Sequence, residues 1–149
     1  MSKKGASSAV MQIVNIRLTV PAGKAAPVPP VGPVLGQRGI RAMEFCKQFN
    51  DRTAKLTPGT PVPVKMAIKA DRTYTFETKA PRTSWLLLQA AGLAKGANKP
   101  GEEEVGQVSV KAVYEIAKIR QRDRPDLSLE QLCRMIAGST HTLGLRVVP

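Results

Sequence analysis

The chain has 149 residues, enough for one domain or two small ones. Its formal net charge of +12 favours a polyanionic partner, nucleic acid before an anionic membrane surface. The longest apolar run, Trp85 to Leu88, is far shorter than the ~18 residues that a membrane-spanning helix needs, so we predict no membrane partner.

The composition offers little for catalysis or metal binding. Cys46 and Cys133 each lie in a helical apolar pattern, which favours reduced core residues over a disulfide. A structural zinc site needs about four Cys or His ligands, and His141 is the only histidine. The glycines do not follow the dinucleotide-binding spacing, and no Gly-Lys-Ser/Thr loop is present. We therefore predict no enzyme activity, no metal site and no cofactor.

The first residues predict a disordered tail and then a half-buried strand. Residues 1–10 are rich in Ser, Ala and Lys, as in a frayed terminus or the remnant of an organelle-targeting segment. From Asn15 onwards, polar residues alternate with Ile16, Leu18 and Val20. This period of two is typical of a strand with one buried face.

A proline-rich stretch, residues 21–39, follows this strand; it holds five prolines, four glycines and no acidic residue. Because proline fixes φ and removes a backbone donor, we expect Pro27 to Pro30 to be extended, near polyproline II. We interpret the stretch as a semi-rigid loop that presents a shaped surface to a partner. Two alternatives stay open: a plain connector, and a ligand for a polyproline-binding domain, which the Pro27-x-x-Pro30 spacing fits.

A helix and a β-hairpin are predicted next. The helix runs from Ile40 to about Leu56, where Thr57-Pro58-Gly59 ends it. Alternating apolar residues then predict two strands on either side of a turn at Asp71-Arg72. Residues 11–80 are therefore predicted to form a β-α-β-β domain of the α+β class. The apolar face of the helix comprises Met43, Phe45, Cys46 and Phe49.

Residues 81–149 predict a helical domain with three helices. The first spans Ser84 to Ala91, with Gly92 as its C-terminal cap, and a long loop from Ala94 to Gln107 follows. The second runs from Ser109 to about Arg122. Its inward residues are predicted to be Val110, Val113, Ile116 and Ala117.

The third predicted helix begins with a capping box, in which Ser128 is the N-cap and Gln131 lies three residues later. Its apolar stripe continues through Gly138, so we expect the helix to reach about Leu143, with Gly144 as its cap. A short strand, residues 145–148, ends the chain.

Small and hydroxyl side chains are concentrated late in this helix, between Gly138 and Gly144. Small residues let a helix approach a surface closely, and hydroxyls bond to 2′-OH groups, phosphates or base edges in the shallow minor groove of RNA. A competing interpretation is that these residues relieve crowding against a neighbouring helix. Lys95, Lys99 and Lys111 are candidate phosphate contacts, but a single lysine is more often simply solvated.

Several segments in succession closely resemble the large-subunit ribosomal protein eleven family. The resemblance extends from about Ile13 to Val148. It is carried by residues 21–39, Met43 to Asn50, Ala90 to Gly96, Tyr114 to Lys118 and Gly144 to Val148.

In that family a C-terminal three-helix domain, similar in shape to homeodomains, binds a compact segment of ribosomal RNA (rRNA) in the GTPase-associated centre. The resemblance implies that the last helix and the long loop face this RNA. The matching positions are Gly138, Ser139, Thr142 and Gly144 in the helix and Lys95 and Gly96 in the loop. With Lys99 and Lys111, they make up our predicted rRNA-binding residues.

The resemblance also implies that the N-terminal domain faces the entry site of translational GTPases, near the stalk ribosomal proteins. In the family the proline loop and the RNA form a cleft for thiopeptide antibiotics. Pro30 and Pro33 match the contacting prolines, and we assign Pro27 to the same surface.

The chain departs from the family pattern in three places. Acidic residues at 102–104 stand where family loops are often basic, which argues against phosphate contacts there, and His141 stands where a basic residue is common. The basic segment 119–124 is longer than its usual bacterial counterpart. Together with Asp71-Arg72-Thr73 and Val113-Tyr114, this segment resembles the mitochondrial branch. We therefore expect a mitochondrial ribosome in the matrix, with the bacterial cytoplasm as the alternative.

The predicted function is thus a non-enzymatic constituent of the large ribosomal subunit. Its expected partners are large-subunit rRNA, stalk ribosomal proteins and, transiently, translational GTPases. One alternative is a homeodomain-like DNA-binding module with a proline-rich arm. Another is an adaptor whose Pro27-x-x-Pro30 segment binds a signalling domain.

Overall fold

A computed structural model describes residues 13–149, so the predicted tail at residues 1–10 lies outside the described residues. The chain is of the mixed α/β class and divides into two compact units. The first unit comprises the described chain up to Pro58 together with Val64–Thr78. The second comprises Gly59–Pro63 and Lys79–Pro149.

Alternating side chains build a three-stranded sheet from β1 (Val14–Pro21), β2 (Pro61–Ile68) and β3 (Tyr74–Thr78), with β2 in the middle. β2 and β3 are antiparallel, and Met66 lies opposite Phe76. The predicted alternation is confirmed, because the apolar positions of β1 and β2 are buried or half-buried while the intervening polar residues are more exposed.

Our expectation of an extended segment at Pro27 to Pro30 is wrong. These residues form bends and a turn, the Pro29-Pro30 peptide is cis, and Pro30 has φ −88° and ψ −8°. Helix α1 (Val31–Gly36) follows directly, and it buries Val31 and Leu35. These two side chains are four residues apart, so one helical turn places both against the core. The first unit therefore has one helix more than the predicted β-α-β-β order.

Helix α2 (Ala42–Thr53) buries Phe45, Cys46 and Phe49 as predicted, but Met43 is 61% exposed. The prediction for Met43 is wrong because the buried stripe continues to Thr53 instead. At 3.6 residues per turn, Met43 lies about a quarter turn from the centre of that stripe.

The second unit contains α3 (Thr83–Ala90), β4 (Gly106–Ser109), α4 (Val110–Gln121), α5 (Leu129–His141) and β5 (Leu145–Val148). β4 and β5 pair in parallel, with Val108 opposite Val147. The predicted loop was therefore too long at its end, because β4 already begins at Gly106. The pairing depends on a partner strand far along the chain, which local sequence patterns do not indicate. The core comprises Leu87, Val108, Val113, Ile116, Ala117, Leu132, Ile136 and Leu145.

Serine caps begin two helices of this unit, and the predicted cap at Ser128 is confirmed. The Ser109 side chain accepts a hydrogen bond from the Ala112 backbone N–H, and Ser128 forms the full capping box with Gln131. Val110 was expected to point inward but is 53% exposed, whereas Val108 in the preceding strand belongs to the core. α5 ends at His141, two residues before Leu143, where we predicted its end.

No helix within residues 13–149 is long and apolar enough to cross a membrane.

Candidate nucleic-acid interface

The long loop between α3 and β4 is fastened to the chain that leaves α5. The backbone N–H of Ala97 donates to the carbonyl oxygen of Leu143, and that of Val105 donates to Gly144; both distances are 2.9 Å. The two segments that the sequence singled out for RNA binding are thus brought together by main-chain hydrogen bonds.

Two glycines allow this close docking. A β-carbon at Gly144 would lie 2.5 Å from Cβ of Ala97 and 2.7 Å from the carbonyl oxygen of Glu103. A β-carbon at Gly96 would lie 3.1 Å from the carbonyl oxygen of Leu143. Gly144 is buried and has φ +71°, which favours glycine. At Gly144 the missing side chain thus relieves crowding, but against the loop rather than against a neighbouring helix, and Gly96 serves the same docking.

Gly138 is different, because it is exposed on α5 and a β-carbon there would meet nothing within 4 Å. Glycine inside a helix makes the helix less stable than alanine would, by about 0.5–1 kcal/mol. No neighbour within the described chain requires a glycine at this position. The crowding interpretation is therefore wrong for Gly138 within the described chain, where this face of α5 is open.

The hydroxyl groups beside Gly138 bond to the backbone of α5. Ser139 Oγ donates to the carbonyl of Met135 at 3.0 Å, and Thr142 Oγ1 donates to that of Ser139 at 2.7 Å. Each donated bond fixes the rotamer and leaves oxygen lone pairs as acceptors. Thr140 is fully buried, so it takes no part in this surface.

A groove of about 420 Å³ opens beside Gly138, and Ser139 lines a separate, smaller depression. The groove contains Glu103 and Glu104, and an exposed ion pair of 3.8 Å joins Glu104 to Arg146. These carboxylates disfavour a phosphate at that position, in agreement with the departure noted in the sequence. The groove is lined by Gly101, Glu103, Glu104, Ala137, Gly138, His141, Gly144, Leu145, Arg146 and Val147.

The depression beside Ser139 also contains Arg120 and Arg124, which our site prediction omitted. Their signal in the sequence was the basic segment 119–124 at the end of α4, which served only as a mark of the mitochondrial branch. Both guanidinium groups have acidic partners: Arg120 lies 3.5 Å from Asp123, and Arg124 lies 3.3 Å from Asp126. These pairs reduce the positive charge available to a ligand.

The three candidate lysines occupy different settings. Lys95 donates from Nζ to Oδ1 of Asn98 at 2.8 Å, within the docked loop. Lys99 lies 3.8 Å from Glu102 in an exposed pair, so its charge is partly neutralised. Lys111 is exposed on the first turn of α4 and lines neither the groove nor the depression. The structure therefore brings Lys95 and Lys99 to the loop and leaves Lys111 apart.

Pro27, Pro30 and Pro33 are all exposed, in agreement with a surface that a partner can reach. The start of their stretch is fastened to α2: Asn50 Oδ1 accepts from the Ala25 N–H at 3.1 Å, and Thr53 Oγ1 accepts from the Gly23 N–H at 3.2 Å. The turn at Pro30 removes the polyproline II geometry that an adaptor ligand would need.

Within residues 13–149, no group of three or more His, Cys, Asp or Glu side chains is placed to hold a metal ion. The arrangement near α5 offers a shaped, hydroxyl-lined helix face and an adjoining loop. A surface of this kind recognises a partner through its shape and its hydrogen-bonding groups.

Two family models match the chain. One, described as ribosomal protein L11, N-terminal domain, matches residues 16–74, and the other, ribosomal protein L11, RNA binding domain, matches residues 79–147. The chain is also 47% identical over 137 residues to the large ribosomal subunit protein uL11m of Schizosaccharomyces pombe. That similarity covers 90% of this chain and 94% of the relative. The docked loop and the end of α5 both lie within the match to the RNA binding domain.

Proposed function

Because the chain belongs to the ribosomal protein L11 family, we propose that its second unit binds rRNA of the GTPase-associated centre through the end of α5 and the docked loop. The protein is a constituent of the large ribosomal subunit with an RNA-binding domain, and it is a structural protein rather than an enzyme. The alternative of a DNA-binding module is not supported, since the matched domain is one that binds RNA.

Gly138 is the observation that carries this proposal, because its missing side chain has no explanation inside the described chain. Ser139 and Thr142 follow it at the end of the same helix and supply acceptor oxygens. Gly96 and Gly144 contribute by allowing the loop to dock. A homeodomain-like arrangement of α3, α4 and α5, with α5 facing the RNA, is part of the proposal.

Recognition by this surface depends on shape more than on charge. The groove beside Gly138 contains two carboxylates, and Lys99 is paired with Glu102. Lys95 is the most direct phosphate contact, Lys99 contributes less because Glu102 pairs with it, and Lys111 contacts a phosphate apart from the groove. Shape and 2′-OH contacts are the usual basis for recognising a folded RNA across its minor groove.

A graded series at one position tests the proposal. Gly138→Ala and Gly138→Val place progressively larger groups on the exposed face, and both are expected to fold because nothing lies within 4 Å. We expect Gly138→Val to weaken binding of the full-length chain to the folded rRNA segment by about 1–3 kcal/mol, with a smaller loss for alanine. Filter binding measures the affinity for the folded rRNA segment and, for comparison, the affinity for a DNA duplex of equal length.

Gln48→Val is a suitable control, because it introduces the same side chain at an exposed position of α2. It should leave RNA affinity unchanged. Unaltered RNA binding by both Gly138 variants would exclude this face of α5 as the contact surface. Equal affinity for the DNA duplex would restore the DNA-binding alternative.

The proline surface is proposed to face translational GTPases and stalk proteins, and to edge a thiopeptide cleft against the RNA. Its support is the exposure of Pro27, Pro30 and Pro33 on a segment that Asn50 and Thr53 hold in place. A stiff surface loses less conformational entropy on binding than a flexible one.

Substitution of Pro27 and Pro33 by alanine tests this second surface. We expect weaker capture of a translational GTPase or a thiopeptide by the protein–RNA complex, with RNA affinity unchanged. Pro58→Ala, at another exposed proline of the first unit, is the control. If the unaltered chain, the Pro27 and Pro33 double variant and Pro58→Ala all captured the GTPase or thiopeptide equally well, the proline-rich stretch would be only a connector.

The protein acts in the mitochondrial matrix, in the mitochondrial ribosome. The similarity to uL11m supports this localisation. A tagged full-length chain should sediment with the large subunit prepared from purified mitochondria. Recovery only in the cytosolic ribosome fraction would contradict it.

A further inference from the structure

A recess in the first unit collects three positive charges from two separate segments of the chain. It has a volume of about 250 Å³ and is lined by Val14, Arg38, Ile68, Lys69, Ala70 and Arg72. Arg38 follows α1, whereas Lys69 and Arg72 lie in the turn between β2 and β3. No carboxylate lines the recess.

The three cations have no acidic partner. Within residues 13–149, no ion pair shorter than 4.0 Å involves Arg38, Lys69 or Arg72. The sequence contains no Asp or Glu before Glu44, so the residues outside the described chain carry no carboxylate either. By contrast, the second unit contains six ion pairs.

The backbone holds these side chains together. The Arg72 N–H donates to the carbonyl of Lys69 at 3.1 Å, and the Lys69 N–H donates to that of Thr73 at 2.9 Å. The guanidinium of Arg72 lies against Gly39, where a β-carbon would be 3.4 Å from Nε. Gly39 thus lets the side chain of Arg72 approach the segment that carries Arg38.

Arg72 has φ +61° and is the one residue other than glycine in the left-handed region within residues 13–149. Glycine adopts this conformation without strain and asparagine with little, so the turn itself does not call for an arginine. Strained backbone positions are concentrated at functional sites. The strain at Arg72 therefore supports a role for its side chain.

We propose that this recess binds a phosphate of the rRNA backbone, as a contact of the first unit that is separate from the surface on α5. Guanidinium groups match the oxygens of a phosphate with paired, charge-assisted hydrogen bonds. Asp71 precedes Arg72 in the turn, but it neither lines the recess nor pairs with these cations, which therefore remain available for a polyanion. The inference rests on the proposed function, because it takes the bound polyanion to be rRNA.

Salt dependence distinguishes this contact from the contact at Gly138. Each phosphate that a protein neutralises steepens the fall of log affinity with log salt by about 0.7–0.9. The double variant Arg38→Gln with Lys69→Gln should bind protein-free large-subunit rRNA about three- to tenfold more weakly at low salt. The slope of log affinity against log salt should be shallower by about one, as for the loss of a single phosphate contact. Gly138→Val should weaken binding with little change in slope.

The control is Arg17→Gln with Lys47→Gln, which removes one arginine and one lysine from exposed positions outside the recess. This control variant should change the affinity for rRNA, and the slope of log affinity against log salt, less than the recess variant does. Equal effects of the two double variants would overturn the recess while leaving the proposed function intact. Failure of the unaltered chain to bind rRNA would overturn both.

A poly-glutamate 12-mer provides the second probe, because an acidic protein segment is the competing occupant. We expect its weak binding to fall equally in the two double variants. Selective loss of peptide binding in the recess variant, with rRNA binding unaffected, would overturn the proposal in favour of an acidic protein partner.

Discussion

The backbone N–H of Ala80 donates a hydrogen bond to Oδ2 of Asp123, which is 2.9 Å away and 43 positions later in the chain. The Asp123 side chain is 16% exposed, and the same oxygen lies 3.5 Å from Nη1 of Arg120. One carboxylate thus joins the segment after β3 to the end of α4, within the second unit.

Asp123→Ala should lower the free energy of unfolding by about 1–3 kcal/mol, because it leaves the Ala80 N–H without its acceptor and Arg120 without its partner. Asp123→Asn retains an acceptor oxygen and should lose less. Urea denaturation of the full-length chain measures both. Asp126→Ala removes an exposed carboxylate, 63% accessible, and should change stability by less than about 0.5 kcal/mol. Equal losses at the two aspartates would contradict a special role for Asp123.

Gly144 and Gly92 have almost the same backbone conformation but different surroundings, which makes them a matched pair. Their φ values are +71° and +68°, and a β-carbon would clash at Gly144 but meet nothing within 4 Å at Gly92. Gly92→Ala should destabilise by about 1 kcal/mol from backbone strain alone. Gly144→Ala should destabilise by at least about 2–3 kcal/mol, since Ala97 and Glu103 must also move. Similar melting temperatures for the two variants would show that the loop is not tightly docked.

The Tyr74 hydroxyl is buried and has no hydrogen-bond partner within the described chain. A buried polar group without a partner lowers stability, whereas an apolar group of the same shape does not. Tyr74→Phe should therefore leave the free energy of unfolding unchanged or raise it by up to about 1 kcal/mol. A clear loss of stability in urea denaturation would mean that the hydroxyl makes a favourable contact.

Alkaline pH provides an independent test of Tyr74. Burial, and secondarily the charge of Glu44, raise the pKa of this phenol above its ordinary value of 10.0. The folded state thus holds the phenol proton more tightly than the unfolded state does. The stability that this difference contributes is fully present below pH 10 and is lost as the pH rises through the folded pKa. The Tyr74→Phe variant should therefore lose less stability above pH 10 than the unaltered chain. Parallel losses would contradict the raised pKa.

The two cysteines should differ in reactivity. Cys46 is 5% exposed and burial raises the pKa of its thiol, whereas Cys133 is half-buried on α5. Since the thiolate is the reactive form, iodoacetamide at about pH 8 should label Cys133 first and Cys46 only after unfolding. Mass spectrometry of the labelled protein identifies the site, and Cys46→Ala serves as the control. Rapid labelling of Cys46 in the folded chain would contradict its place in the core.

Features that depend on a few neighbouring residues could be predicted from the sequence. The alternation in β1, the capping box of Ser128 and Gln131, and the cap at Gly92 are all decided by side chains within one strand or one helical turn. The resemblance carried by short segments was enough to place the chain in its family. It also directed attention to the end of α5 and the long loop before their docking was known.

Other features were decided only by tertiary structure, because they depend on residues distant in sequence. β4 exists because β5 pairs with it, and α1 forms within a proline-rich segment because Val31 and Leu35 find a core to enter. The sequence shows three glycines, at 96, 138 and 144, as equivalent small residues. Packing separates them: two accommodate a docked loop, and Gly138 leaves an open face. Arg38 and Arg72 likewise come together only in the folded chain. α2 and β2 separate them in the sequence, so no local pattern relates them.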